Sequence, residues 1–163
     1  MAATPEQVLR DLGYSSVFEK AAPPFGDYVN ALRSGNLVFV VAAPQDVNGV
    51  FGEAGKFLPG RFGKDCHDDT NGKLLTELSG VRALQLLRSE IGELSRVRRV
   101  VKLDINLLCE PEFKGLTSVA NGCSELFVKV FGRDKALAVR ETRGAAALPF
   151  GMSVETSVIF EVE

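Results

Sequence analysis

The chain reads as an α+β domain in which two helices cover one face of a single mixed sheet. Three observations carry that reading. Leu74, Leu78, Val81, Leu84, Leu87 and Ile91 recur at helical spacing and stop at Gly92. A second helical run, Val119, Ala120, Cys123, Leu126, Phe127 and Val130, ends at Phe131-Gly132. Two other stretches alternate with the period of a half-buried strand. In one, Val97, Val101, Leu103, Ile105 and Leu107 face Arg98, Lys102, Asp104 and Asn106; in the other, Val154, Thr156, Val158, Phe160 and Val162 face Glu155, Ser157 and Glu161.

The remaining elements follow in order. Thr4 before Pro5, with Gln7 three residues on, is a capped helix start, and Val8, Leu9 and Leu12 give a short docking helix closed by Gly13. Pro23-Pro24-Phe25-Gly26-Asp27 breaks the chain, after which Tyr28 to Arg33, Ser34-Gly35-Asn36 and Leu37 to Ala43 read as strand, turn and strand. Residues 44–72 turn to Gly, Asp, Asn and Lys, the composition of a long functional or mobile loop. Gly80 weakens the long helix slightly. Ala136 to Gly144 is the strand before the last. We expect one domain over residues 1–163, with 1–22 an N-terminal extension. The sheet face without helices calls for a partner, and a symmetric oligomer supplies one.

With 163 residues, 45% apolar and 25% charged, the chain is an ordinary water-soluble domain, and no apolar run nears the roughly 20 residues of a membrane span. Residues 1–7 lack a basic region followed by an apolar stretch, which points to the cytosol. Cys66, Cys109 and Cys123 have no framework spacing and fit reduced thiols. A net charge of −2 lacks the broad basic footprint of nucleic-acid binding. Small-molecule chemistry is the better expectation.

Arg140 and Glu155 flank the Ala147-Leu148-Pro149 turn. If the flanking strands pair as an antiparallel hairpin about Ala147 and Leu148, the two side chains lie roughly opposite each other. A guanidinium forks a carboxylate and a nearby carboxylate positions water, although a cross-strand ion pair has the same spacing. Other candidates are plainer. Gly49 to Lys56 lacks the spacing of a phosphate loop. Cys66-His67-Asp68-Asp69 has no second cluster to complete a metal site, and His67 reads as a solvated loop residue. Arg96, Arg98, Arg99 and Lys102, with Lys56, Arg61 and Lys64, read as a solvated basic face without interleaved aromatics. Tyr28 sits by the Pro23 to Asp27 break, where a cleft rim could form.

Four ordered blocks resemble a known family: Phe25-Gly26-Asp27-Tyr28-Val29, Arg33 to Val40, Gly92 to Leu103, and Arg140 to Glu155. They are similar to the RidA/YjgF, or L-PSP endoribonuclease-like, family, in a longer branch with an N-terminal helix and an expanded loop. The resemblance implies a chorismate-mutase-like fold, a homotrimer with clefts between subunits, and cofactor-free hydrolysis of 2-imino or 2-enamino acids to 2-keto acids and ammonia. It implies that Arg140 binds the substrate carboxylate, Glu155 positions the water and Tyr28 lines the cleft. Asn121 is the nearest candidate for an asparagine that contributes from the second helix.

Two departures stand out. The Ser-Gly common in that family at the cleft edge is Val41-Ala42 here, and the frequent cysteine two residues after the arginine is Thr142. A hydrogen-bonding group is lost and bulk is added, so a non-catalytic carboxylate-binding or regulatory trimer is the alternative. RNA cleavage through the Arg96 to Lys102 stretch is a third reading, opposed by the net acidity.

Overall fold

The computed structural model describes residues 3–46, 49, 55–63 and 67–163. In chain order the elements are α1 (Pro5–Asp11), β1 (Ala31–Ser34), β2 (Leu37–Ala42), α2 (Asp69–Ile91), β3 (Val97–Leu108), α3 (Leu116–Phe131), α4 (Arg133–Ala136), β4 (Val139–Ala145) and β5 (Val154–Val162). One five-stranded sheet has the order β1-β2-β5-β3-β4. All its pairings are antiparallel except β3 with β4. α2 packs on β2 and β5, and α3 lies beside it over β3 and β4. The mixed sheet with two helices on one face is as expected.

The hairpin expected between the last two strands does not form. β5 is bonded to β2 on one edge and β3 on the other, and β4 is the far edge strand. Composition accounts for this. β5 presents Val154, Val158, Phe160 and Val162 at 1% exposure or less, which suits a central strand under helices. β4, with Arg140, Glu141, Arg143 and Gly144, has the charged sequence of an edge. The α3 crossover brings β4 back parallel to β3, which no tight turn could do.

Other expectations shift locally. β1 begins at Ala31 because the Tyr28 N–H turns back to Gly26 O at 2.9 Å. Gly35, with φ 62°, supplies the positive angle of the two-residue hairpin turn. Register slips near Arg99 and Val101 move burial in β3 from Val101 to Val100. α1 is capped as expected, Thr4 Oγ1 accepting from Gln7 N. Its surroundings tie it down: Glu6 Oε1 accepts from Leu94 N at 2.6 Å, and the Tyr14 hydroxyl donates to Glu77 on α2 at 2.8 Å.

α2 starts at Asp69, so the long loop ends earlier than its composition suggests. Asp68 accepts from Thr70 N and Asn71 N, while Asn71 Oδ1 accepts from Asp68 N. The helix is covered on nearly all sides because the sheet, α3 and the N-terminal segment each take a face. Gly80, read from sequence as a weak point, is where Cys123 and Leu126 of α3 approach, 3.0 Å from where a Cβ would sit. The crossing is closest at Gly122, where a Cβ would lie 1.9 Å from Lys73 O and 2.5 Å from Thr76 Oγ1. Thr76 Oγ1 seals the contact by donating to Val119 O at 2.6 Å.

Two outcomes are expected. Gly122→Ala drives a methyl into a backbone carbonyl and should destabilise the fold by about 3 kcal/mol, seen as a melting-temperature drop of roughly 6–12 °C. The Asp68 carboxyl is held below its ordinary value of 3.8 chiefly by the Thr70 N–H and then the Asn71 N–H. Its capping contribution is therefore complete above that value and lost as pH falls through the lower folded-state value. Asp68→Asn caps without titrating, so its melting temperature should fall less steeply than wild type on acidification below pH 4 or so.

Candidate functional site

The residues singled out from the sequence fall into two separate groups. The first surrounds a cavity of about 440 Å³ where β2 ends and β5 begins. Ser79 of α2 fixes that junction, its Oγ lying 2.7 Å from Thr156 Oγ1 and 3.3 Å from Ala42 O. Tyr28, Val41, Ala42 and Glu155 all line the cavity. The Tyr28 hydroxyl accepts from Phe25 N–H at 3.3 Å, folding the 25–28 turn over the opening. The chain segments that carry Phe57 and Met152 are tied together: Ser153 donates to Leu58 O from both N and Oγ, and Gly60 N donates to Gly151 O.

Three rings cap this cavity. Phe25 lies 4.8 Å from Phe150 and 5.7 Å from Phe57, centroid to centroid. Phe150 takes φ 56°, the one positive φ among described non-glycine residues, and is 72% exposed. A bulky side chain held in that region stores strain. Arg82, 4% exposed, contributes a cation to the wall; Nη1 donates to Gln85 Oε1 at 2.6 Å and Nη2 to Ala22 O at 3.3 Å. Burial pushes its pKa down. Glu155 is half-buried and has no hydrogen-bond partner or ion pair among the described residues.

The second group sits on the β4 edge against α3. Arg140 Nη1 donates to Asn121 Oδ1 at 2.9 Å and to Ser124 Oγ at 3.0 Å. Nε and Nη2 have no partner among the described residues, so one side of the fork is open. Thr142 is two residues along the same face, half-buried.

Within the chain the two groups cannot share a small ligand. Glu155 pairs with Asn106, and Asn106 pairs across the sheet with Arg143. Arg140 is three residues from that row, on the opposite face. With strands about 4.8 Å apart and residues about 3.3 Å apart along them, the Arg140 and Glu155 backbones are roughly 14 Å from each other. A cross-strand ion pair is excluded for the same reason.

Sequence reasoning missed Ser124, the three rings and Arg82. Asn121 and Ser124 are polar positions one turn apart on α3, next to its buried row, a signal that could have been read. Nothing local announced Phe57 or Arg82. His67 is not solvated: it is 8% exposed, with Nε2 3.0 Å from Pro59 O and Nδ1 3.2 Å from Asn71 Nδ2. Because Asn71 Oδ1 is committed to Asp68 N, its Nδ2 donates to Nδ1, and the His67 Nε2–H donates to Pro59 O. Both ring nitrogens and the Asp68 cap are thus engaged; Cys66, Lys64 and most of the Gly49 to Lys56 stretch lie outside the described residues. Cys109 and Cys123 are buried thiols whose pKa values burial pushes up. Of the basic stretch, Arg96 binds Ile91 O and Glu163 O, and Lys102 pairs with Asp104 at 3.2 Å. No helix among the described residues is long and apolar enough to cross a membrane.

No protein-family model matches the chain. Protein TCP17 of Trypanosoma cruzi is 31% identical over 143 residues, 87% of this chain and 85% of that protein. The crystal structure of Atu1372 from Agrobacterium tumefaciens, of unknown function, is 31% identical with a TM-score of 0.79, covering 98% of this chain and 94% of that one. A candidate endoribonuclease from Shewanella oneidensis MR-1 superposes with a TM-score of 0.85 at 20% identity, covering 98% of this chain and all of the other (100%). RidA from the Antarctic bacterium Psychrobacter sp. PAMC 21119 has a TM-score of 0.52 at 22% identity, over 86% of this chain and 94% of its own. The last two likenesses show a shared fold. The sheet and its two helices define a RidA-like α+β fold. The chain belongs to one family with Protein TCP17, and it shares its fold with the RidA and L-PSP endoribonuclease structures. The matches covering 98% take in the N-terminal segment as well, in keeping with a longer branch.

Asparagine enters the φ 56° region far more readily than phenylalanine. Relief of about 1 kcal/mol of strain should offset the loss of an exposed ring contact of similar size. Phe150→Asn is therefore expected to melt within roughly 3 °C of wild type by calorimetry.

Proposed function

We propose that the protein is a cytosolic homotrimer that hydrolyses 2-imino or 2-enamino acids to 2-keto acids and ammonia, in clefts built from two subunits. The observation that carries this is the separation of Arg140 from Glu155, each with unfilled hydrogen-bonding capacity, on opposite faces of one sheet. A neighbouring copy that set its β4 edge against the Glu155 cavity would reunite them. The open sheet face, with Leu32, Phe39, Val41 and Val139 all exposed, supplies an apolar surface for such packing.

In that cleft Arg140, steadied by Asn121 and Ser124, would fork the substrate carboxylate through Nη2 and Nε. Glu155 would accept a hydrogen bond from a water and aim it at the imine carbon. Water adds across the C=N bond; the resulting carbinolamine expels ammonia and leaves the keto carbonyl, so atoms balance without an oxidant or a second substrate. Proton traffic needs one group, and Glu155 can take the proton from water and return it to the departing nitrogen.

A carboxylate-binding trimer without turnover is the second reading. It is favoured by Val41 and Ala42, which put no hydroxyl on the cavity edge.

Imine hydrolysis by purified protein tests the first. Arg140→Ala should lower kcat/KM by about 100-fold, the loss of a charge-assisted fork. Glu155→Gln should lower kcat while keto-acid affinity is retained. Co-refolding the two inactive variants in equal amounts should restore about a quarter of the wild-type rate, because that fraction of two-subunit clefts combines an intact Arg140 with an intact Glu155. Keto-acid binding without any turnover selects the second reading, and no complementation would sink the shared cleft.

A further inference from the structure

The cavity beside Glu155 is large and lined mainly by apolar groups for a site that would take a three-carbon acid. Such an acid displaces roughly the volume of three or four waters at about 30 Å³ each, about a quarter of the 440 Å³ present. The remainder would stay wet against Phe25, Phe57, Phe150, Val41 and Met152, the arrangement least favourable to binding. Cavities of this size ordinarily enclose ligands of ten or more heavy atoms. Two further observations point the same way. Phe25 and Phe150 are 61% and 72% exposed yet packed against one another at a tilt of 52°, and Phe150 is kept there despite a strained backbone. Arg82, also in the lining, holds a positive charge whose hydrogen bonds go to neutral acceptors, Gln85 Oε1 and Ala22 O. A desolvated guanidinium in a wall favours the π face of an aromatic group over an aliphatic one.

We propose that this cavity is a side-chain pocket selecting 2-imino and 2-keto acids with an aromatic side chain, the ring lying among Phe25, Phe57 and Phe150 with Arg82 at the wall. The assignment rests on the cleft reading above, in which the carboxylate is held by Arg140 of a neighbouring copy and the reacting carbon lies at Glu155. Val41 and Ala42 then have a role: replacing a hydroxyl and a bare backbone, they complete the apolar wall that a ring requires. The polar edge suited to a small substrate is exchanged for contact with a large one.

Calorimetric titration of the intact oligomer with phenylpyruvate and with pyruvate tests this. Phenylpyruvate is expected to bind at least tenfold more tightly, and Phe150→Asn or Phe25→Ala to cut that ratio severalfold. Equal affinities, binding of neither acid, or a ratio untouched by both substitutions would overturn the proposal. So would a Phe150→Asn protein that changes its mass in light scattering while keeping the ratio, since the ring would then belong to a contact between copies. Arg140→Ala separates this from the reading it rests on. If Arg140 is the anchor, both affinities fall by a common factor. If neither falls, the anchor is wrong while the phenylpyruvate preference still decides the pocket, and absence of imine turnover bears on the hydrolysis alone.

Discussion

β5 is hydrogen-bonded on both edges and covered by helices on one face, and most of the molecule's organisation follows from that. Its buried row, Val154 to Val162, gives the core a continuous floor under α2 and α3. Since both its edges are taken by β2 and β3, β4 is left to the outside, where its charges are harmless and its free edge is blunted. The same insertion puts Glu155 at the start of a central strand and Arg140 on a peripheral one, facing opposite ways.

α2 is the second determinant. A helix buried on most sides cannot be organised by amphipathicity alone, and three of its polar residues are placed against specific neighbours. Ser79 ties the end of β2 to the start of β5, Thr76 closes the α3 crossing, and Arg82 reaches the cavity. The glycine at 122 lets α3 come close enough for that crossing, which in turn sets where Asn121 and Ser124 meet Arg140. One helix pair therefore positions both groups of residues, although they do not touch within the chain.

The two half-sites differ in chemistry. The Arg140 edge is polar and preorganised, with one nitrogen held and the rest of the fork free. The Glu155 cavity is aromatic, with a carboxylate and a buried guanidinium also in its lining.

Much of the fold was legible because its signals are local. The Thr4 cap, the helical repeat from Leu74 to Ile91, the α3 stripe and the two-faced pattern of β5 are set by neighbours within a few residues, and each forms where expected. The early start of α2 was readable in principle from Asp68 and Asn71 but was masked by loop-like composition. Strand order was a different matter. Any strand offers the same hydrogen-bonding edges, so whether β4 meets β5 or β3 depends on which faces can be buried together at long range. A Leu-Pro turn between two strands looked like a hairpin, and the better burial of β5 in the sheet centre prevailed. The sequence by itself determined the elements, the family likeness and the identities of Arg140 and Glu155. Only the tertiary structure decided that they stand apart, with Ser124 beside one and an aromatic cavity beside the other, because that separation comes from packing a whole sheet rather than from any spacing along the chain.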